Sequence, residues 1–503
     1  MIGTPSAPLR DAHRPVLGTR VRVEFTEMSN GRRAVAHVGS WTVAVEDAVP
    51  GDVADVELRE RRGAAYRGHL LALVRPSPHR VRPACSYFER CGGCQWQRLD
   101  TAAQAEYKGT LVRRALRAVG LGGVPVRVVP ARAAWGYRTA GTYVPAVDGG
   151  SAALGLHAAD AASAVAIRAC PIQSPALQAA FDEMQRAWCD LILRLDDADG
   201  DRSAWRQIRI RAGEASREVA VGLVHAGRLS PRARAAVVEL IGGRITRLVE
   251  ITVKPARRPA RTGEPMSELR WGRAGVVEAM LDRWYHVPVF APFPVSGRGD
   301  AVAAAVDALA PDGETTVLET EAGIGAYTLP AAAAARRVIG RTTGEHLQTA
   351  RENARWNEAS NVIFADRTAE TLTRMLRSYG PVGRALVQVT PAPVPFETLH
   401  RAGLERVVLL AGSPARLAEV LTAGAPGFEA RSITVVDTHP QTSRAEIHAV
   451  LDARHGAWAG ADYVTDSEAA PTAASTEPNT GQRDAKSTAR RIPPTGDSGA
   501  ATR

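Results

Sequence analysis

The sequence predicts a multidomain chain, and three observations support this. Short runs that alternate apolar and polar residues fill the first part of the chain, three cysteines fall within residues 85–94, and helix-like and strand-like runs alternate near the C-terminal end. A chain of 503 residues that is 45% hydrophobic can bury several cores. The predicted regions are a small antiparallel OB-like β-barrel at 12–82, an α+β region with the cysteine cluster at 83–285, an α/β Rossmann-like domain at 286–457 and a disordered tail at 458–503.

The N-terminal region is interpreted as a barrel because its apolar residues recur with a period of two. The runs TRVRVEF, SWTVAVE, VADVELRE and GHLLALV are separated by NG, HVG and PGD, which are typical of turns. Trp41 and Tyr66 could stack bases on such a barrel. Aromatic residues in a small barrel are more often part of the core, so the core is the favoured interpretation.

The cysteines indicate a metal site. Cys85, Cys91 and Cys94 form the motif C-x5-C-G-G-C, whose glycines permit the tight reversal that brings three sulfurs around one centre. In a reducing compartment such a cluster favours metal over disulfides. A fourth ligand must come from a distance. Cys170, beside a proline in IRACPIQ, is a better candidate than Cys189, which lies in the helix-like AFDEMQRAWCDLILRL. Spacing alone leaves zinc and an iron–sulfur cluster open.

The C-terminal part of the chain predicts a parallel sheet covered by helices on both faces. The helix-like DAVAAAVDAL is followed by the strand TTVLE, the glycine turn EAGIGAY, an alanine-rich helix and the strand RRVIG. The apolar runs RALVQVT, RVVLLA and ITVVD follow. Ligands of such sheets bind at the carboxyl ends of the strands. The region after about residue 459 has no periodicity and is rich in small and polar residues, which predicts disorder.

The charge distribution suggests a polyanionic partner. Residues 1–140 contain 22 Lys and Arg against 12 Asp and Glu, an excess that equals the net charge of +10 of the whole chain. A basic module beside a neutral remainder fits binding to phosphates. Only three of the 63 basic residues are lysines, so part of the arginine content reflects compositional bias.

No segment predicts a membrane span or a secretion signal. The chain has no run of about 18 apolar residues, and MIGTPSAPLRDAHR lacks the apolar segment of a signal peptide. We therefore expect a cytoplasmic protein, and we expect it to be a monomer.

Several motifs resemble those of bacterial RNA (uracil-5-)-methyltransferases. VLGTRVRVEFTEMSNGRRAVAHVG with VPGD resembles a TRAM domain, and CSYFERCGGCQWQ with the distant ACPI is similar to the family's iron–sulfur signature. The likeness continues in the family's order through WGYRTAGTY, EAGIGAYTLP, ARENARWN and DTHPQT, and covers residues 16–452. The resemblance implies that the barrel binds RNA (rRNA or tRNA). It also implies that Cys85, Cys91, Cys94 and Cys170 hold a [4Fe-4S] cluster, and that the C-terminal domain is an S-adenosylmethionine-dependent methyltransferase.

The family's reaction requires a cysteine that this chain lacks. Its thiolate adds to carbon 6 of uracil, which makes carbon 5 nucleophilic towards the methyl sulfonium, and a base then removes the proton from carbon 5. The family carries that cysteine in an S-C-N-P turn after a strand, where this chain has AGSP with Gly412 at the cysteine position. Ser413 is no substitute, because a hydroxyl has a far higher pKa than a thiol. No cysteine occurs after Cys189.

Other positions of the family's active site also differ. The D-P-P-R motif becomes Thr390 to Pro393 in TPAP, the Asp that ends the first strand becomes Glu319, and VFAPFPVSG lacks the family's Gln and Asn. Where a carboxylate would accept hydrogen bonds from the cofactor ribose, the chain has Arg341 or Thr342. The nearest acid is Glu345.

Some family positions remain. Gly323 and Gly325 keep the G-x-G turn, although structural glycines would explain it equally well, and Asp366 matches an acid near the adenine or is an exposed loop residue. Glu446 falls at the position of the proton-abstracting glutamate, but Arg444 replaces the family's histidine before it.

Two hypotheses follow. In the first, the chain is an active RNA methyltransferase that needs no cysteine nucleophile, for example one that methylates an exocyclic nitrogen or a ribose hydroxyl. In the second, it is a non-catalytic RNA-binding pseudoenzyme that keeps barrel and cluster. Several functional positions changed together while residues that support the fold stayed, which favours the second.

Overall fold

The computed structural model describes residues 15–29, 31–195, 204–256, 269–294, 299–367, 372–423 and 427–454. The predicted tail at 458–503 and the first residues of the predicted barrel, 12–14, lie outside this part of the chain. No helix in the described part is long and apolar enough to cross a membrane.

The N-terminal sheet has six strands in the order β1-β5-β6-β4-β3-β2. The strands are β1 Arg20–Glu24, β2 Glu27–Met28, β3 Ala34–Val38, β4 Trp41–Val45, β5 Val53–Arg62 and β6 Ala65–Arg75. Neighbours are antiparallel, as predicted, except that β4 and β6 are parallel. Trp41 and Tyr66 are buried against each other with ring centroids 5.3 Å apart. They are core residues, as the favoured interpretation held.

Helix α1 (Thr101–Arg117) connects this sheet to the rest of the molecule. Asp100 caps its first turn by accepting a hydrogen bond from the Ala103 amide at 2.8 Å. One side of the helix and the preceding loop bury Trp96, Leu99 and Leu111 in the core of the N-terminal sheet. The hydrophobic core of the N-terminal sheet therefore includes residues that follow its last strand.

The central sheet has seven strands in the order β10-β9-β8-β11-β12-β13-β14. They are β8 Ala140–Asp148, β9 Ser151–His157, β10 Ala164–Ala166, β11 Trp205–Ala212, β12 Val219–His225, β13 Leu248–Pro255 and β14 Leu269–Gly272. Helices α2 (Pro175–Arg194) and α3 (Pro231–Gly242) pack on one face, where Ile208, Val221 and Ile251 belong to their shared core. A short ribbon of β15 (Val276–Met280) and β16 (Arg283–Val287) follows.

The C-terminal sheet has eight strands in the order β19-β18-β17-β20-β21-β23-β22-β7. Its strands are β7 Val126–Val129, β17 Thr316–Glu319, β18 Arg337–Thr342, β19 Val362–Asp366, β20 Arg384–Gln388, β21 Arg406–Ala411, β22 Phe428–Val436 and β23 Glu446–Ala453. Its helices are α4 Asp300–Leu309, α5 Thr328–Ala331, α6 Gly344–Trp356, α7 Leu372–Tyr379, α8 Phe396–Arg401 and α9 Pro414–Thr422.

The order of the C-terminal strands fixes where a ligand can bind. Strands β17 to β21 are parallel, as predicted, and β23 is antiparallel to both of its neighbours. From β17 the chain first adds β18 and β19 on one side, then β20 and β21 on the other. The crevice at the carboxyl ends of β17 and β20 is therefore the topological switch point. The prediction placed residues 126–129 in the central region, but as β7 they form the edge of this sheet.

A buried ion pair joins helix α1 to the C-terminal sheet. The Lys108 ammonium and the Asp437 carboxylate are 1% and 2% exposed, and Lys108 Nζ also donates to the carbonyl of His439 at 3.1 Å. Beside them, the Gln104 and Gln441 side chains share a hydrogen bond of 3.0 Å. Removing one partner of a buried pair costs several kcal/mol, roughly 3–5, so this contact fixes α1 to the sheet.

Candidate active site and cysteine site

The first strand of the parallel sheet ends at the switch point in a buried carboxyl group. Glu319 is 3% exposed and accepts a hydrogen bond from the Thr328 hydroxyl. Burial raises the pKa of Glu319 to about 7, although the bond from Thr328 opposes the shift. Near pH 7, about half of the Glu319 side chains are therefore neutral. An Asp that reached into solvent would be ionised at this pH.

The glycine turn after β17 has a structural cause. Gly323 and Gly325 have φ of +54° and +97°, which side chains rarely adopt. The Gly323 carbonyl accepts a hydrogen bond from Thr342 Oγ1 at 2.7 Å, so the turn is tied to the end of β18. A Cβ at Gly323 would lie 3.2 Å from Pro292 Cγ. These contacts explain the glycines without any ligand, and a role in cofactor binding stays a prediction.

The end of β18 offers no unpaired carboxylate. Thr342 is committed to the Gly323 carbonyl, and the Arg341 carbonyl accepts from the Ala322 amide at 2.7 Å. Glu345, in the first turn of α6, forms an ion pair with Lys254. Burial would raise the pKa of Glu345, but the hydrogen bond and charge of Lys254 outweigh it and lower that pKa. Glu345, the nearest acid in the sequence, is thus already ionised and paired.

Asp366 ends the third strand of this edge. It lies opposite Thr342 in the register of β18 and β19, and its Oδ2 is 3.2 Å from where a Cβ on Gly344 would be. The next residue, Arg367, forms an ion pair with Glu321 in the glycine turn. Asp366 therefore lies at the carboxyl edge that the prediction requires, and its contact with adenine stays a prediction.

Glu446 is held as an ionised base by two neighbours. Its carboxylate accepts a hydrogen bond from the Tyr327 hydroxyl and lies 2.9 Å from His448 Nε2. Burial would raise the pKa of Glu446, but the bonds from His448 and Tyr327 and the charge of His448 together lower it. His448 is fully buried, whereas the Glu446 side chain is 26% exposed. One side of an oriented carboxylate therefore remains accessible.

Gly412 directly follows the last residue of β21. Ala411 pairs with Ile447, and Glu446 precedes Ile447 on β23, so a continuation of the register would place Gly412 opposite Glu446. A Cβ at Gly412 would meet no heavy atom within 4 Å, so a side chain would fit here. Ser413 has a different task. Its hydroxyl accepts a hydrogen bond from the Arg416 amide at 3.3 Å and caps helix α9.

The TPAP turn takes part in hydrogen bonds through its backbone carbonyls, which accept from an arginine of helix α9. The Arg416 guanidinium donates to the carbonyl oxygens of Thr390 at 3.2 Å and Pro391 at 2.9 Å. Arg416 also forms an ion pair with Glu419 at 2.9 Å. The turn contributes no acid or arginine of its own to the crevice.

The four cysteines predicted as ligands line one cavity. Its empty volume, which includes space open to solvent, is about 600 Å³, and its walls include Cys85, Cys91, Cys94 and Cys170. Cys189 does not line it. That residue lies on α2, and its thiol donates to the Ala152 carbonyl at 3.0 Å. The structure thus brings together the four sulfurs that the sequence grouped and separates the fifth.

The thiols are placed in a cavity rather than around a single point. Among the described residues, no group of three or more His, Cys, Asp or Glu is arranged to hold a metal ion. Burial raises the pKa of Cys91 and Cys170, and it raises the pKa of Cys94 to about 12. The four cysteines are half-buried, and four thiolates that share one cavity would repel one another without a compensating positive charge, so the donor set suits a cationic group. The predicted site is therefore not formed as a single-ion site.

The sequence prediction missed the two partners of Glu446. His448 lies two residues beyond Glu446 on β23 and so points to the same face, which the i, i+2 spacing in the sequence could have indicated had this segment been predicted as a strand. Tyr327 carried no such signal, since the glycine turn brings it to Glu446 across 119 positions of the chain.

Similarity to known proteins covers most of the chain. No family model matches it. An uncharacterized RNA methyltransferase of Gloeobacter violaceus is 29% identical over 473 residues, which span 90% of this chain and 100% of that protein. The 23S rRNA (uracil(1939)-C(5))-methyltransferase RlmD of Nitrosococcus oceani is 25% identical over 454 residues, 86% of this chain and 96% of that protein.

One solved structure shares the fold over nearly the same length. The tRNA (uracil-54, C5)-methyltransferase of Pyrococcus abyssi, in complex with S-adenosyl-L-homocysteine, superposes with a TM-score of 0.63 at 19% identity. The match covers 86% of this chain and 100% of that one. The arrangement of sheets described above is thus that of a known methyltransferase structure.

Proposed function

We propose that this chain is an RNA-binding protein of the S-adenosylmethionine-dependent RNA (uracil-5-)-methyltransferase family that no longer methylates carbon 5 of uracil. The observation that carries the proposal is Gly412, which directly follows β21 at the position where the family's turn has its cysteine, one residue beyond the Ala411–Ile447 pair that precedes Glu446 in the register. The relatives named as RNA methyltransferases support the family, and the shared fold supports the domain arrangement.

The chemistry of uracil explains why one missing group matters. Carbon 5 becomes nucleophilic only after a thiolate has added to carbon 6, and a base then removes the carbon 5 proton. Glu446 could serve as that base, but without the adduct there is no acidic proton to remove. Ser413 cannot replace the thiol, because its hydroxyl is engaged in capping α9.

For the cysteine cavity we propose a [4Fe-4S] cluster held by Cys85, Cys91, Cys94 and Cys170. Thiolates around a single ion all bond to the same atom, whereas each thiolate of a cluster bonds to a different iron, so they lie further apart. All four cysteines line the same cavity while no three of the described ligand-type residues are arranged around a single ion, which supports the second arrangement. When bound, the cluster would cross-link the loop at 85–94 to the loop that carries Cys170.

For the cofactor we propose S-adenosylmethionine at the switch point. Gly323 and Gly325 would let the backbone approach it, and Asp366 would lie near the adenine. At the end of β18, the described residues include Glu345, which is paired with Lys254 and so is not available to the ribose as a free acid. We therefore expect weak cofactor binding.

The remaining assignments concern domains and partner. We propose that residues 12–82 are a TRAM-type RNA-binding barrel, 83–285 the cysteine domain and 286–457 the methyltransferase domain. The basic excess in residues 1–140 supports RNA, from rRNA or tRNA, as the partner.

A second candidate is methyl transfer without a cysteine nucleophile. The favouring observation is that Glu446 remains ionised and oriented by Tyr327 and His448. Such a base could remove a proton from a ribose hydroxyl or an exocyclic nitrogen during direct attack on the methyl group.

The test uses RNA that contains 5-fluorouridine, together with S-adenosylmethionine labelled in its methyl group. We expect no denaturation-resistant RNA adduct and no label on uracil. Gly412→Cys is the informative variant, since the site has room for the side chain. It should still give no 5-methyluridine, because TPAP leaves the substrate contacts unmade. An adduct or C5 label with the unaltered protein would refute the proposal, and label on another atom would select the second candidate.

A further inference from the structure

One face of the central sheet is charged although it is largely covered. The opposite face is the apolar one that packs on α2 and α3. On the charged face, alternate residues of β11 are Arg209 and Arg211, because side chains two apart on a strand share a face. The residues across from Arg209 are Thr142 and Gly222, and those across from Arg211 are Ala140 and Ala220.

These neighbours are small, so the guanidinium groups are not covered from within their own sheet. Above Gly222 lies the ring of Phe290, whose Cζ would be 2.6 Å from a Cβ at that position. The ring also receives the Lys254 ammonium at 4.8 Å from its centroid. The aromatic ring thus forms one wall beside Arg209.

Both arginines retain unused donors. Arg211 is 2% exposed and donates from Nη2 to the Ala291 carbonyl at 3.1 Å, but its Nε has no hydrogen-bond partner among the described residues. The Nε of Arg209 is also buried without a partner in that part of the chain. A buried donor without a partner is costly, so a ligand that accepts from both would be favoured.

The nearby carboxylates are engaged elsewhere. Glu250 accepts from the amides of Gly275 at 2.9 Å and Val289 at 3.0 Å, and Glu278 accepts from the amide of Glu214 at 3.0 Å. Burial and then the charge of Arg209 lower the pKa of Arg211 to about 9, despite the attraction of Glu278 and Glu250. Burial and then the charge of Arg138 lower the pKa of Arg209. Glu250 and Glu278 thus attract Arg211 from a distance, but no hydrogen bond joins either carboxylate to the two guanidinium groups among the described residues.

The pair lies next to the candidate active site. Arg211 bonds to Ala291, and the following residue, Pro292, contacts the glycine turn at Gly323. Arg211 is thus linked to the glycine turn at the switch point through Ala291 and Pro292, and Arg209 lies two residues before it on the same face of β11.

We infer that Arg209 and Arg211 form a phosphate-binding site of the central sheet, which receives a backbone phosphate of the RNA strand that enters the crevice. The inference rests on the proposed RNA-binding function. A guanidinium matches two phosphate oxygens at once, so Arg209, the more accessible of the two, makes the direct contact and Arg211 supports it from behind.

The first experiment needs no RNA. The melting temperature of the full chain is measured in sodium phosphate and in sodium chloride of equal ionic strength, for the unaltered protein, Arg209→Gln and Arg234→Gln. The control, Arg234, is exposed on α3 beyond the apolar face of the same sheet. Phosphate should raise the melting temperature of the unaltered protein and of Arg234→Gln but not of Arg209→Gln. An equal rise in all three would overturn the site.

The second experiment assigns the phosphate to RNA. Binding of a fluorescein-labelled RNA hairpin is followed over a range of salt concentrations. Arg209→Gln should weaken binding about tenfold and reduce the slope of log K against log salt by about 0.7 to 0.9, the contribution of one phosphate contact. Arg209→Lys keeps the charge and should keep the slope, with lower affinity because the two-oxygen contact is lost.

Two outcomes separate this inference from the proposed function. If the unaltered protein binds no RNA but phosphate protects it through Arg209, the proposed function fails and the assignment of this site to RNA fails with it. If Arg209→Gln leaves RNA binding and its salt slope unchanged but weakens S-adenosylhomocysteine binding, the site serves the cofactor carboxylate and the inference is wrong.

Discussion

The cysteine cavity and the edge of the C-terminal sheet differ in how much of their chemistry remains. The cavity brings together all four thiols that the sequence grouped, from two loops that are far apart in the chain. The sheet edge keeps its turn, its helix cap and one oriented base, but it lacks the thiol, the D-P-P-R side chains and an unpaired acid for the ribose.

Several residues at the sheet edge have a structural task. Gly323 and Gly325 are required by positive φ, and Ser413 caps a helix. The thiol at position 412 would have no such task, because a side chain there meets no neighbour. A residue that serves only the reaction can be replaced without destabilising the fold. At this sheet edge, residues needed for the fold can therefore be distinguished from residues needed only for catalysis.

The largest expected effect concerns the cysteine cavity. Cys170→Ser should lose the iron of anaerobically purified protein, about four atoms per chain, because it removes the only ligand from outside the 85–94 loop. Iron analysis and the brown absorbance of the cluster measure this. Cys189→Ser is the matched control and should keep its iron, since Cys189 does not line the cavity. A colourless protein with one zinc would contradict the cluster.

The second effect concerns the buried Glu319 at the sheet edge. Its pKa of about 7 lies above the value of 4.5 for an unperturbed Glu, so protonation favours the folded state. Its contribution to stability is complete below pH 4.5 and is lost as the pH rises to about 7, by up to about 3 kcal/mol.

Glu319→Gln should remove this pH dependence, because a neutral amide can still accept from Thr328. The free energy of unfolding, measured by urea titration at several pH values, should fall less between pH 4.5 and 7 for the variant than for the unaltered protein. The same dependence of the unfolding free energy on pH in both proteins would mean that the Glu319 carboxyl group is solvated and that its pKa is not raised by burial.

The third effect tests whether the N-terminal sheet is the RNA-binding region. The exposed Arg59, Arg61 and Arg62 lie at the end of β5, and replacing them with Gln should lower the salt slope of RNA binding by about 2 and weaken binding about tenfold. Deleting residues 1–80 would be a poor test, because Trp96, Leu99 and Leu111 share the core of this sheet.

The control for this comparison is a second trio of exposed arginines. Arg228, Arg232 and Arg234 lie before and within α3, on the far side of the central sheet. Replacing these three arginines with Gln should leave the salt slope of RNA binding unchanged within experimental error. If both trios lower it equally, binding follows net charge alone and the N-terminal sheet has no special role.

The sequence predicted elements well where the pattern is local. The strands TTVLE, RRVIG and RVVLLA and the helix DAVAAAVDAL are all present, because their periodicity and flanking turns suffice to specify them. Pairing between strands that are distant in the sequence could not be predicted in the same way. The edge strand Val126–Val129 and the parallel pairing of β4 with β6 depend on tertiary contacts that no short pattern encodes.

The candidate site divides in the same way. The cysteines could be grouped from spacing and from a resemblance, since thiols are few in this chain. The Tyr327–Glu446 bond, the Lys254–Glu345 pair and the unpaired donors of Arg209 and Arg211 could not, because each joins segments whose approach depends on how the sheets pack.

The smallest expected effect would distinguish a helix cap from a nucleophile. If Ser413 only caps α9, Ser413→Ala should lower the free energy of unfolding by about 1 kcal/mol, the usual contribution of an N-cap, and should leave RNA and cofactor binding unchanged. Ser413→Asp is the matched variant, because a carboxylate caps equally well and should restore stability. If any methyl transfer to RNA is detected, both variants should retain it. Loss of transfer in both, with stability restored by Asp, would mean that the hydroxyl itself reacts, and the distinction between structural and catalytic residues at this edge would be wrong.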